Sequence, residues 1–383
     1  MKETEHMKKH PFKVHIEQET LDDVRARLER TRWPDEIEGA GWDYGTNLAY
    51  LKNLVNYWQR EFDWRTQEQA LNCFAHFKAC VDGLHIHFIH ERGKGPNPMP
   101  LLLLHGWPSS FLQMLKILPL LTDPQAHGGE AFDAFDVIVA SLPGYGFSDQ
   151  PKRPGMGIKQ MADLFNTLMT EELGYRRYAT HGTDWGRGIL LQLAFDHPQA
   201  LVGLHTGGTL IPGGPLPDDL SEAEQTYVNH LQHWRSQETA YTALHATKPQ
   251  TLAYGLNDSP AGLAAWMVEK FRSWSDCNGD VEKAFSKDEL LTNIMIYWVT
   301  QTISSSIRIY YESPRPAFQR RRVEVPLAWA QPPRDMFPMP RSWAERFYDI
   351  DRWTDLPAGG HFPEWEQPDA MAQDIRDFFR PLR

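Results

Sequence analysis

Apolar and polar positions along the chain change period three times, and each change marks a different kind of element. Leu101-Leu102-Leu103-Leu104 is an unbroken apolar run after a Pro-rich loop, which suits a strand covered on both faces of a parallel sheet. From there strand-like and helix-like stretches alternate. The pattern predicts helix over 109–121, strand over 135–140, helix over 157–173, strand over 175–180, helix over 187–195 and strand over 201–205. This alternation predicts an α/β fold, a mostly parallel sheet flanked by helices with right-handed crossovers. Before it, amphipathic spacing predicts helices over 20–31 and 46–62, then two strands over 74–81 and 84–91 joined at Asp82-Gly83. Between about Gly213 and Arg315 the two-residue period disappears. Apolar positions recur there at helical spacing over 220–236, 261–274 and 287–304, as expected of a helical cap inserted into the sheet domain. Strand character returns at 323–329 and near 348–355, and a closing helix is expected over 369–379. The domain expectation is therefore an N-terminal extension (1–99), a first part of the core (100–212), a cap (213–315) and a second part of the core (316–383).

Composition narrows the function classes. A net charge of −11 disfavours nucleic acid or an anionic membrane as the main partner. No run approaches the roughly 18–20 apolar residues of a membrane span. The first residues, Met1 to His6, lack the apolar segment of a signal peptide, so a cytoplasmic protein is expected. Cys73, Cys80 and Cys277 form no CxxC pair, which fits reduced, mostly buried thiols. His85, His87 and His90 alternate attractively for a metal, but no HExxH or Cys/His cluster accompanies them, and neither metal nor cofactor is expected.

Candidate chemistry centres on Gly182-Thr183-Asp184-Trp185-Gly186. Two glycines frame a strand-to-helix turn, placing Asp184 where the G-x-S-x-G elbow carries its serine nucleophile. An aspartate there would form an ester, and a second group must then deliver water to it. In this fold the chain order is nucleophile, acid, histidine. His361, in Ala358-Gly359-Gly360-His361-Phe362 before the last helix, fits the general base. Asp335, in the loop after the 323–329 strand, fits the orienting acid better than Glu324, Asp349 or Asp351. His105-Gly106-Trp107-Pro108 closes the first parallel strand, so the backbone N–H groups of Trp107 and Trp185 are the expected oxyanion donors.

Taken together, these motifs resemble the microsomal-type epoxide hydrolases of the α/β-hydrolase fold. The resemblance spans nearly the whole chain. It includes the N-terminal extension, His105-Gly106-Trp107-Pro108, Ser141 to Asp149, the Asp184 elbow, Thr247-Lys248-Pro249 with the following Leu256 to Ala264, and Gly359-Gly360-His361-Phe362. It implies a covalent aspartyl-ester route from an epoxide to a vicinal diol, with no cofactor and a homodimer as the oligomeric expectation. The tryptophan and aromatic content favours an apolar, aryl-substituted epoxide, and, in departure from the membrane-bound members, no membrane anchor is expected. It also implies two cap tyrosines that donate to the epoxide oxygen, carried onto Tyr241 and Tyr310, with Tyr311 the adjacent competitor. Thr183 departs from the second glycine usual in the elbow. An aspartate, where some members use glutamate, makes Asp335 the least secure assignment. Haloalkane and haloacid dehalogenases share the aspartyl nucleophile but need halide donors, not paired tyrosines. A non-catalytic α/β-hydrolase-fold binder would have lost one of these roles.

Overall fold

The computed structural model describes residues 9–211, 216–313, 322–337 and 339–383. The expected ends of the cap, at 213 and 315, lie outside the described residues, as does the chain start. One nine-stranded sheet organises the rest: β1 (His10–Pro11), β2 (His76–Val81), β3 (Leu84–Glu91), β4 (Met99–Leu104), β5 (Phe135–Ala140), β6 (Tyr178–Gly182), β7 (Leu201–Gly207), β8 (Leu327–Gln331) and β9 (Arg352–Asp355). Their spatial order is β1-β2-β3-β5-β4-β6-β7-β8-β9. The pairs from β1 to β5 are antiparallel, and every pair from β5 onward is parallel. The N-terminal extension therefore adds its own strands to the central sheet as well as wrapping it.

Strand character follows burial. Leu101 to Leu104 and Val137 to Ala140 are fully covered on both faces, as a parallel sheet between helical layers requires. At the β2–β3 connection Asp82 and Gly83 both take positive φ, 50° and 79°, which matches a two-residue hairpin turn of type I′. The expected 323–329 strand is displaced to Leu327–Gln331. Pro326 has no N–H to give a ladder, and its carbonyl accepts from Leu204 just before the paired segment begins. Likewise the last strand starts only at Arg352, because the Asp351 carboxylate takes the Leu327 N–H at 2.8 Å.

Helices expected as single pieces are divided. Residues 109–121 become a 3₁₀ turn, Phe111–Met114, and a helix, Ile117–Thr122. Residues 287–304 become Lys287–Thr300 and Ile303–Glu312, because Gln301 adopts a left-handed φ of 53° and stops the first helix. Trp64–Leu71, Ala240–Thr247 and Pro249–Leu256 are further helices that the apolar pattern did not single out. The helices between β7 and β8 are fastened to the rest of the molecule by polar contacts as well as packing. Asn293 donates to the Pro108 carbonyl at 2.9 Å, and the Tyr297 hydroxyl donates to the Ser109 carbonyl at 2.6 Å. Of the three thiols only Cys277 is buried, so the expectation of mostly buried cysteines is corrected: Cys73 is exposed and Cys80 half-buried.

Candidate active site

The elbow forms where β6 meets the helix Asp184–Asp196. Asp184 takes a φ of 51°, a left-handed conformation that a non-glycine residue holds only under constraint from its surroundings. The turn closes because Gly186 passes against the Leu104 and His105 carbonyls; any Cβ there would overlap them. Gly106 is similarly required, since a Cβ at that position would fall on the Asp184 carboxylate.

The two oxygens of Asp184 have different neighbours. Oδ1 accepts the Trp107 backbone N–H at 2.8 Å. Oδ2 faces His361 Nε2 at 3.4 Å, the spacing of an ion pair without a tight hydrogen bond. Trp185 follows Asp184 in the first turn of its helix, where backbone N–H groups have no partner within the helix. The His361 loop returns from β9, and His361 Nδ1 lies 2.8 Å from Asp335 Oδ1. Asp335 sits just after β8, 3% exposed, and also accepts backbone N–H groups from Met336 and Thr209. Among the rival acids, Glu324 is exposed and Asp351 is occupied with the β8 backbone.

These contacts polarise the histidine and its acid in opposite directions. Burial of His361 opposes its positive charge, but Asp335 and Asp184 on either side overcome this and raise its pKa to about 10. Burial likewise disfavours the Asp335 carboxylate. The facing His361 and the two backbone N–H groups outweigh it and hold the carboxyl down at about 2.

Above the carboxylate the cap contributes an aromatic wall. Tyr241 stacks on Trp107 with centroids 5.5 Å apart, and Tyr310 packs edge-on to Trp185 at 4.7 Å and lies 6.0 Å from Tyr241. Tyr311 points away and is 59% exposed, which separates the two adjacent tyrosines. Burial raises the Tyr310 phenol well above its usual pKa, so it remains a neutral donor across the working range.

Several residues here carried no recognisable motif. His245 packs on Trp107 and Tyr310, each at 4.8 Å, and Trp274 lies 5.1 Å from the His361 ring. Glu366 accepts the N–H groups of Asp276, Gly360 and Phe362 at 2.7, 2.9 and 3.0 Å, bracing the His361 loop on both sides against the cap. Burial pushes its carboxyl up to about 7 despite those three donors. Nothing in the sequence distinguishes Glu364 and Glu366, just after His361, from ordinary charges at a helix start. His85 is held by Asp149, and His87 by Ser141 and His76.

A strained elbow after a parallel strand, an acid after a later strand and a histidine before the last helix define an α/β-hydrolase, here with an aspartate at the elbow. Sequence comparison narrows this class. The chain matches the family model described as epoxide hydrolase N terminus over residues 9–114, and the alpha/beta hydrolase fold model over residues 99–331. A provisionally named epoxide hydrolase of Stigmatella aurantiaca is 44% identical over 97% of this chain and 85% of its own. Epoxide hydrolase 1 of Oryctolagus cuniculus is 38% identical over 96% and 88%. The crystal structure of Aspergillus niger epoxide hydrolase superposes with a TM-score of 0.86 at 28% identity, covering 99% of this chain and 97% of that one. The chain belongs to the epoxide hydrolase family and is an enzyme of that class. Among the described residues no helix is long and apolar enough to cross a membrane.

Proposed function

We propose that Asp184 attacks an epoxide carbon from the side opposite the ring oxygen, through the carboxylate oxygen that faces His361. The oxygen held by the Trp107 N–H then becomes the ester carbonyl. As the C–O bond of the ring breaks, Tyr241 and Tyr310 donate to the departing oxygen, which leaves as a hydroxyl group. Esterification removes the negative charge of Asp184, one of the two charges that hold the proton on His361. The imidazolium sheds its proton, balancing the one taken by the alkoxide, and becomes a general base oriented by Asp335. A water activated by His361 attacks the ester carbonyl. The Trp107 and Trp185 N–H groups hold the tetrahedral oxyanion, and collapse releases a vicinal diol and regenerates Asp184. The net change is addition of one water.

The observation that carries this reading is the seating of one carboxylate between a backbone N–H and a histidine that is itself bound to a buried acid. Its test pairs two variants, followed by mass spectrometry of the intact protein with a styrene-type epoxide. Asp184→Ala should form no adduct. His361→Gln should accumulate a stoichiometric adduct and turn over at least ~10³-fold more slowly than the parent. An adduct in Asp184→Ala, or full turnover in His361→Gln, contradicts the assignment.

For the substrate, the ring wall of Trp107, Tyr241, Trp274 and Tyr310 favours an apolar, aryl-substituted epoxide. Three free thiols support a reducing, cytoplasmic setting. A division into extension, core and cap, with Tyr241 and Tyr310 on the inserted helices and Asp184, Asp335 and His361 just beyond the C-terminal ends of β6, β8 and β9, agrees with this reading.

A further inference from the structure

Beneath the elbow, and untouched by the steps above, lies a chain of ionisable side chains away from solvent. Glu364 Oε1 lies 2.8 Å from His181 Nε2; His181 Nδ1 lies 2.9 Å from His205 Nδ1; and His205 Nε2 lies 3.0 Å from Asp374 Oδ2. Glu364, His181 and His205 are fully buried and Asp374 is 4% exposed. Asp374 continues to Arg352, at 2.7 Å, and to the Thr354 hydroxyl.

Hydrogen-bond chemistry fixes the proton count of this chain. Each of its three bonds needs one proton. If both carboxylates are ionised, each Nε2 is a donor, and one of the two facing Nδ1 atoms must also carry a proton. The two rings then hold three protons and one positive charge between them. In that arrangement each ionised carboxylate has a cationic neighbour, the shared proton for Glu364 and Arg352 for Asp374. His181, with Gln113 and a backbone contact, holds the Glu364 carboxyl below its usual range although burial pulls the other way.

Glu364 is also where the three catalytic loops meet. Its Oε1 accepts the Thr183 hydroxyl at 3.1 Å, one residue before Asp184. Its Oε2 accepts the Gln113 side-chain amide at 2.5 Å, and that amide also donates to Thr183 at 3.1 Å. The Gln113 carbonyl in turn accepts from Ser109, whose hydroxyl also reaches the Gly106 carbonyl at 3.0 Å, directly before the Trp107 N–H. Glu364 itself stands three residues after His361. One buried carboxylate therefore ties the nucleophile, the oxyanion loop and the histidine loop together.

We propose that Glu364 is an ionised positioning residue for the reaction, its charge balanced by a single proton shared between His181 and His205. The inference rests on the ester mechanism proposed above, and it extends that mechanism to residues that never touch the substrate. A glutamine at 364 would keep the shape, but it would set its amide against the Gln113 amide or, flipped, against the donors of His181 and Thr183. Misplacement of reacting groups on this scale costs on the order of 10²-fold in rate.

The test compares the parent enzyme with Glu364→Gln and with the exchange E364Q/Q113E, which again sets an acceptor against an amide donor. Glu364→Gln should lower kcat and the single-turnover rate of Asp184 esterification by about 10²-fold, with KM changing less than about threefold. The exchange should recover at least a tenth of the loss. Parent-like esterification in Glu364→Gln overturns the proposal, as does a loss that appears in KM alone. If the variant does not fold, nitrogen-15 NMR of histidine-labelled parent enzyme decides. Three ring N–H groups on the His181–His205 pair, one bridging the two Nδ1 atoms, support the proposal, and only two overturn it by placing the third proton on a carboxyl group. Absence of esterification in the parent would instead strike at the ester mechanism, so the two failures are distinguishable.

Discussion

Asp184 occupies a backbone conformation that aspartate seldom adopts, and its two oxygens face different partners, a backbone N–H and an imidazole. Glycines on both sides and an aspartate between them made the position legible in the sequence. The electrostatic state of His361 was not legible, because it depends on two carboxylates brought together from loops more than 150 residues apart. That state has a pH consequence. The His361 pKa is raised from 6.5 to about 10, so its ion pairs contribute fully below pH 6.5 and are lost as pH rises through about 10. The Asp335 pKa is lowered from 3.8 to about 2, so its contribution is present above pH 3.8 and lost as pH falls through about 2. Between these limits His361 and Asp335 keep one charge state. Quenched single turnovers should show an esterification rate that stays level from about pH 5 to 9. Hydrolysis of the ester should accelerate over the same range, because His361 then faces only one carboxylate. An esterification rate that follows a group titrating near pH 6.5 would contradict this.

Among the elements, the strands buried on both faces and the Asp82-Gly83 hairpin were the most readable, because a continuous apolar run and a left-handed turn each leave few alternatives. Reading failed where tertiary contacts decide. The Asp351 carboxylate delays the last strand, and Gln301 stops a helix whose apolar pattern runs on. The second break matters for the site, since it begins the separate helix that carries Tyr310. Asp335 was readable as a carboxylate after a late strand even though that strand's position was misjudged by four residues at its start. Glu364 and Glu366 were not readable, because their meaning lies in what they accept. Gly106 lies so close to the elbow that an added methyl group would overlap the Asp184 carboxylate. Gly106→Ala should cut esterification by at least about 10²-fold and cost roughly 1–3 kcal/mol in thermal or urea unfolding. A variant with parent-like rates would show that the oxyanion loop can retreat from Asp184.

Across the whole molecule, the proposed reacting groups come from two regions: Asp184, Asp335 and His361 follow strands of the sheet, and Tyr241 and Tyr310 lie on the helices between β7 and β8. The α/β frame was legible from the alternation after residue 100, whereas the closeness of Tyr310 to Trp185 depends on how the helices between β7 and β8 are seated through Asn293 and Tyr297. Tyr310→Phe should therefore lower the esterification rate by roughly 10²-fold, while Tyr311→Phe, changing an exposed ring, should leave it within about twofold. Equal losses in the two variants would reverse the assignment. The central claim, that the oxygen added to the epoxide comes first from Asp184, has a direct test in a single turnover run in water enriched in oxygen-18, with enzyme in excess. The account predicts a diol whose new hydroxyl oxygen is light and an enzyme whose Asp184 carboxylate has gained the heavy atom. A diol carrying heavy oxygen in that first turnover, with Asp184 unlabelled, would mean that water attacks the epoxide directly.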